Sequence, residues 1–269
     1  MRTTRWTKVF SLLVAGVALC GGDLVAGSTR QADLTLRLNI PAFRLDLLQA
    51  GVVTASYPVA VGEPRYPTPG GEFTLTHITW NPWWYPPRSE WARKEPVHPP
   101  GTANPMGPVK LQFGGLYFLH GTPLERSIGK AASHGCVRMH DADALALARV
   151  VNRLAGGGLS EDSLDAIEAD SSLTTTVQLL EPVPLVVVYL TVEIHDGRLY
   201  IHRDFYRRDR ATEERALTVL STAGYDTARV DRPLLARLLR RARARSASVP
   251  VDSLVLPGSS ALRSHQDIP

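Results

Sequence analysis

His120 and Cys136 stand sixteen positions apart, the first in His120-Gly121-Thr122, the second in Ser133-His134-Gly135-Cys136-Val137-Arg138-Met139. A thiol is a weak nucleophile until it loses its proton, and a neighbouring imidazole commonly takes it. The pair reads as nucleophile (Cys136) and general base (His120) of an acyl-transfer enzyme working through a thioester. Gly135 lets backbone approach a reacting group closely. Arg138 lies two residues beyond Cys136, so in an extended segment both side chains share a face. Its fixed cation suits a peptide bearing carboxylates. Tyr117 is a further polar candidate near His120, although Leu119 shares its face and His120 does not. A different chemistry is open to the same residues: His120, His134, Cys136 and His140 are competent zinc ligands. No His-Glu-x-x-His or Cys-x-x-Cys spacing accompanies them. The plainer alternatives are a hydrogen-bonded core histidine and an inert buried thiol.

Cysteine usage bears on that choice. Arg2, Arg5 and Lys8 precede an apolar run from Val9 to Leu19, followed by small residues. This is the pattern of a secretory signal over residues 1–27, cleaved after Ala26 or Gly27, with an uncleaved membrane anchor as the alternative. The chain has two cysteines; once Cys20 leaves with the signal, Cys136 has no disulfide partner. A leftover thiol in an exported protein marks a reactive one.

The string His120-Gly121 … Ser133-His134-Gly135-Cys136-Val137-Arg138 resembles the catalytic signature of the L,D-transpeptidase family, also called the YkuD domain. Thr68-Pro69-Gly70-Gly71-Glu72-Phe73 and Asn104-Pro105-Met106-Gly107 are similar to two further elements of that family, so the resemblance covers roughly residues 34 to 155. It implies that His120 is held by the backbone carbonyl of Gly121 and that N–H groups of His134, Gly135 and Cys136 form the oxyanion hole. Ser133, Arg138 and Tyr117 are expected at the substrate. The implied substrates are peptidoglycan stem peptides, in cell wall biogenesis. Cys136 would take the acyl group of a tetrapeptide stem and pass it to an amine, either another stem (a 3→3 cross-link) or a lipoprotein lysine. Water as acceptor would make the protein a carboxypeptidase. No cofactor or metal is needed. A zinc-dependent wall hydrolase and an inactive wall-binding protein are the rival classes.

The elements around these residues are mostly strands. Leu34, Leu36, Leu38 and Ile40 alternate with polar residues, as do Phe43, Leu45 and Leu47, and then Val53 to Val61. Gly62 to Gly71 reads as a turn and Phe73 to Trp80 as a strand. Val109 to Phe113, a Gly114-Gly115 turn and Leu116 to His120 form a hairpin that ends on the proposed base. Asp141 to Leu154 is a predicted helix, capped by Asp141 and stopped by Gly156-Gly157-Gly158. Ser160 to Asp170 is acidic, a short helix or loop. Val186 to Ile194 alternates strictly, Asp196-Gly197 is a hairpin turn, and Leu199 to His202 pairs back. This hairpin, with Asp204-Phe205-Tyr206, is similar to the C-terminal strands of longer L,D-transpeptidases. Residues 212–246 read as helical and the last twenty or so as a loose tail.

The expected fold is mainly β, a YkuD-like sandwich or barrel with a helix after the cysteine motif and a helical C-terminal extension. The expected domains are a signal at 1–27, a catalytic domain at 30–155, its strand extension at 156–206, and a basic helical extension and tail at 207–269. Trp80, Trp83, Trp84, Tyr85 and Trp91 fall in or beside a Pro-rich insertion that reads either as a lid or as a satellite core. The formal charge is +4, and seven arginines lie between Arg229 and Arg245. With Leu234, Leu235, Leu238 and Leu239 they make a basic amphipathic helix suited to an anionic envelope surface or to plain solvent. Export to the periplasm or cell envelope argues against nucleic acid as a partner.

Overall fold

The computed structural model describes residues 34–256, so the signal-like segment with Cys20 and the end of the expected tail lie outside the described residues. The alternating segments become β1 (Leu34–Asn39), β2 (Arg44–Gln49), β3 (Val52–Pro58), β4 (Val61–Gly62), β5 (Gly71–Trp80), β6 (Val109–Gln112), β7 (Phe118–His120), β8 (Ala131–Ser133) and β9 (Val137–Arg138). Next come α1 (Asp141–Leu154), α2 (Glu161–Ala169) and β10 (Thr175–Val188). The chain then forms β11 (Val192–His195), β12 (Arg198–Ile201), α3 (Glu213–Thr222), α4 (Arg232–Ala242), β13 (Ala247–Pro250) and α5 (Val251–Leu254).

One eight-stranded sheet, in the order β3-β2-β1-β10-β5-β6-β7-β9, carries the fold. The pairs β1–β10 and β7–β9 are parallel and the others antiparallel. Leu36, Leu38, Leu75, Ile78, Leu111, Leu119 and Val137 are fully buried in its core. Helix α1 adds Ala144, Leu147, Ala148 and Val151, the i, i+3, i+4, i+7 stripe of a helix lying on a sheet. Its cap differs from expectation. His140 is the N-cap residue and its side chain makes no cap bond. Asp141 sits inside the first turn and accepts instead from the Thr122 N–H at 2.7 Å. That bond ties the helix start to the segment just after His120.

The segment expected as a strand extension, 156–206, supplies β10 to the middle of the main sheet, between β1 and β5. Pro182 and Pro184 lack N–H donors, and the register shifts between Gln178 and Val183, which is where the sequence loses its strand signal. The run from Val186 to Ile194 is two strands in two sheets. A three-stranded sheet, β11-β12-β13, forms with its own core of Val192, Leu199, Ile201, Ala216, Leu220, Leu235, Val251 and Leu254. Its hairpin turns at Asp196 (φ 46°) and Gly197 (φ 66°), both left-handed, as a type I′ turn requires. Residues 247–254, expected as loose tail, supply a paired strand and the buried side chains of Val251 and Leu254. Arg44 joins the sheets by ion pairs to Asp46 at 2.9 Å and to Glu193 at 2.9 Å.

Candidate active site

The register of the main sheet builds the site. Thr79 pairs with Lys110, Lys110 with His120, and His120 with Arg138. Directly opposed residues point to the same side of a sheet. A row runs Thr79, Lys110, His120, Arg138 across β5, β6, β7 and β9. The residues between them, Leu111, Leu119 and Val137, are buried in the core behind. Cys136, two positions before Arg138, joins the row's face from just ahead of β9.

His120 is 4% exposed. Its Nδ1 lies 2.5 Å from the Gly121 carbonyl oxygen, so Nδ1–H donates there and Nε2 is left as the basic nitrogen. Gly121 has no room for a side chain: a Cβ would meet Asp141 Oδ1 and Pro108. A Cβ on Gly107, the last residue of the Asn-Pro-Met-Gly element, would meet Asp141 and the Gly121 backbone. These two glycines are what allow the His120 strand end to pack on the start of α1. Cys136 Sγ lies 3.6 Å from the Leu116 carbonyl oxygen, to which the thiol donates.

The loop carrying the thiol is braced from within and from behind. Ser133 Oγ donates to the Cys136 carbonyl at 2.5 Å and accepts from the Gly135 N–H at 3.1 Å. Ser133 is 2% exposed, and its hydroxyl is engaged within the loop it belongs to. Of the three N–H groups expected at an oxyanion, that of Gly135 is thus already engaged. Gly135 has φ +108°, and a Cβ there would come within 2.7 Å of Tyr117 Cε1. Tyr117 thus packs on the loop through its ring despite facing away from His120 in the strand alternation. Thr68 Oγ1 donates to the Gly135 carbonyl at 3.0 Å and accepts from the Gly62 N–H at 2.8 Å. Tyr206 Oη accepts from the Thr68 N–H at 3.0 Å and donates to the Gly62 carbonyl at 2.5 Å. The Thr-Pro-Gly-Gly element and the Asp-Phe-Tyr run therefore support the cysteine loop from two sides.

His134 is stacked on Trp91, with ring centroids 3.8 Å apart and planes 4° from parallel, and Tyr66 approaches at 4.9 Å. The aromatic insertion divides. Trp80 belongs to β5 and is fully buried, Trp91 covers the cysteine loop, and Trp83 and Tyr85 are exposed. Asn104 closes the insertion, donating to the carbonyls of Pro82 (2.8 Å) and Pro99 (2.9 Å) and accepting from the Met106 N–H (2.8 Å).

Burial dominates the electrostatics. It lowers His120 from the ordinary histidine value to about 4; the Gly121 bond opposes this, and the charges of Arg138 and Lys110 add to it. Burial raises the Cys136 thiol, against a backbone hydrogen bond from Phe118 and the attraction of Arg138 and Lys110. At neutral pH the pair rests as neutral thiol and neutral imidazole. His134 is lowered by burial, then moved in opposite senses by Glu63 and by Arg138. The zinc arrangement does not form: among the described residues no three His, Cys, Asp or Glu side chains gather as a metal site needs. His140 turns to Glu125, 3.6 Å away.

Sequence reasoning missed Lys110, and it read Asp141 only as a helix cap. Lys110 alternates visibly with Val109 and Leu111, but only the pairing of β6 with β7 shows that it stands beside His120.

The family model of the L,D-transpeptidase catalytic domain matches residues 34–179, from the start of β1 into β10. The chain is 32% identical over 160 residues to YkuD of Bacillus licheniformis, covering 56% of this chain and 82% of that one. It is 34% identical over 121 residues to YqjB of Bacillus subtilis, covering 43% of this chain and 62% of that one. Both relatives carry the L,D-transpeptidase name. L,D-transpeptidase 3 from Mycobacterium tuberculosis superposes with a TM-score of 0.39 at 14% identity, over 58% of this chain and 61% of that one. The chain belongs to the L,D-transpeptidase (YkuD) family.

Proposed function

We propose that this protein is a peptidoglycan L,D-transpeptidase with Cys136 as its nucleophile. The observation that carries the reading is the His120 ring: buried, neutral, and fixed by Gly121 in the tautomer that keeps Nε2 free to take a proton. In the proposed reaction Cys136 Sγ attacks the carbonyl carbon of the third stem residue and its proton passes to His120. The N–H groups of His134 and Cys136 meet the oxyanion. The intermediate collapses, the C–N bond breaks, and His120 returns the proton to the departing D-amino acid. An acceptor amine then loses a proton to His120, attacks the thioester and restores the thiol. The acceptor is a second stem's diamino acid or a lipoprotein lysine; water in its place gives the carboxypeptidase.

This chemistry requires the protein to meet the wall, which fits the secretory pattern of residues 1–27. Cell fractionation should find the native protein in the envelope; native protein confined to the cytosol would refute the location. On α4 and just after it, Arg237, Arg240, Arg241, Arg243 and Arg245 are exposed, a face suited to anionic envelope material. The central test gives the protein a tetrapeptide donor with and without an amine acceptor, and reads products by mass spectrometry. Transpeptidation predicts an amide joined to the acceptor and release of the terminal D-amino acid. Release alone at saturating acceptor would mark a hydrolase.

A further inference from the structure

Lys110 on β6 and Arg138 on β9 stand opposite His120 from its two sides, on the face that carries Cys136. The Lys110 Nζ lies 4.8 Å from the Phe118 ring centroid, which holds the ammonium over that face. Both side chains are half-buried. Each of them is close enough to the Cys136 sulfur to bear on it electrostatically. Nearby carboxylates Glu63 and Glu95 bear on His134 instead. By contrast, the half-buried Arg44 is matched by Asp46 and Glu193, and Arg149 by Glu161, Asp165 and Glu168. Two partly desolvated cations without a carboxylate are costly to keep unless an anion arrives between them.

We propose that Lys110 and Arg138 form a carboxylate-binding subsite beside Cys136 that takes the terminal carboxylate of the acyl donor. The identity of the donor rests on the transpeptidase reading; the subsite itself does not. When a terminal residue is the leaving group, only its nitrogen and α-carbon separate the carboxylate from the attacked carbon. Cations next to the sulfur are then within reach of it. Lys110 becomes a specificity residue: it selects chain ends over internal peptide bonds.

Alkylation of Cys136 tests the subsite without any wall substrate. Iodoacetate and iodoacetamide differ chiefly in the carboxylate. In the native protein the rate ratio of iodoacetate to iodoacetamide should exceed that of free glutathione several-fold and shrink towards it in high salt. Lys110→Met should lower that ratio roughly tenfold, with Lys110→Arg retaining most of it. Equal slowing of both reagents in Lys110→Met would mean that Lys110 only tunes the sulfur and would overturn the proposal, as would an unchanged ratio. If Lys110→Met does not fold, the native ratio and its salt response decide alone, and a ratio equal to that of glutathione overturns the subsite. In turnover, Lys110→Met should raise KM for a tetrapeptide with a free terminus and leave KM for its terminal amide unchanged. Failure of both peptides to acylate native Cys136 would sink the donor assignment, whatever the alkylation ratio.

Discussion

Burial, not an ion pair, sets the resting state of His120 and Cys136. His120 is held neutral with a pKa near 4 and the Cys136 thiol is pushed up, so attack must couple proton transfer to bond formation. The pH profile of kcat/KM for acylation should therefore rise through about 4 and stay level across neutrality until the thiol titrates. A rise centred at the ordinary histidine value would contradict it. His120→Ala should cost ~10²–10⁴-fold in rate. Gly135→Ala should disturb the site differently: it puts a side chain at φ +108° and into the Tyr117 ring. It should lower stability by about 1–3 kcal/mol and slow thiol alkylation, read by thermal melts and iodoacetamide kinetics. At this scale the sequence was legible where the backbone leaves no room for a side chain, as at Gly121 and Gly135. It did not show that the Ser133 hydroxyl bonds within its own loop, because hydrogen-bond partners are set by backbone geometry that spacing does not encode.

The elements act as braces for one short loop. Gly62 and Thr68 from one turn and Tyr206 from a distant segment meet under Gly135. Thr68→Val and Tyr206→Phe should each cost about 1–3 kcal/mol by leaving buried partners unsatisfied. Because they share one network, the double variant should lose less than the sum; strict additivity in denaturant melts would show that the two bonds act independently. The strands flanking the site were legible from alternation, since β6 and β7 have one face on the core. β10 was not: Pro182 and Pro184 interrupt its signal, and its place between β1 and β5 is a long-range pairing. Likewise β13 is short and follows an arginine-rich helix, so it reads as tail until Ala247 to Pro250 pair with β12. The α1 cap failed for a related reason: Asp141 has the right type for a cap, but Thr122 offered it a tertiary partner.

Over the whole molecule, several groups titrate in the same direction on acidification. The folded pKa of His120 is depressed, so between the unfolded value of about 6.5 and about 4 the unfolded chain binds more protons and stability falls with pH. Burial alone would raise Glu193, but hydrogen bonds from His202 and Arg44 bring it to about 2. Its contribution is present above the unfolded carboxylate value and is lost as pH falls towards 2. Asp46 is lowered in the same way by Ser56, Arg44 and Arg37, against burial. Melting temperature should decline in two stages as pH drops, and Glu193→Gln should shrink the lower stage to the part that Asp46 carries while costing about 3–5 kcal/mol at neutral pH. A melting temperature independent of pH below 6.5 would show that these groups are not linked to folding. The charge network joins the two sheets, whereas the central claim concerns one sulfur atom. Intact-protein mass spectrometry after brief exposure to a tetrapeptide donor tests it most directly. The thioester predicts a mass gain equal to the donor less the free amino acid it releases, reversed by hydroxylamine and absent in a folded Cys136→Ala variant. The same adduct on Cys136→Ala, or turnover by that variant at the native rate, would contradict it.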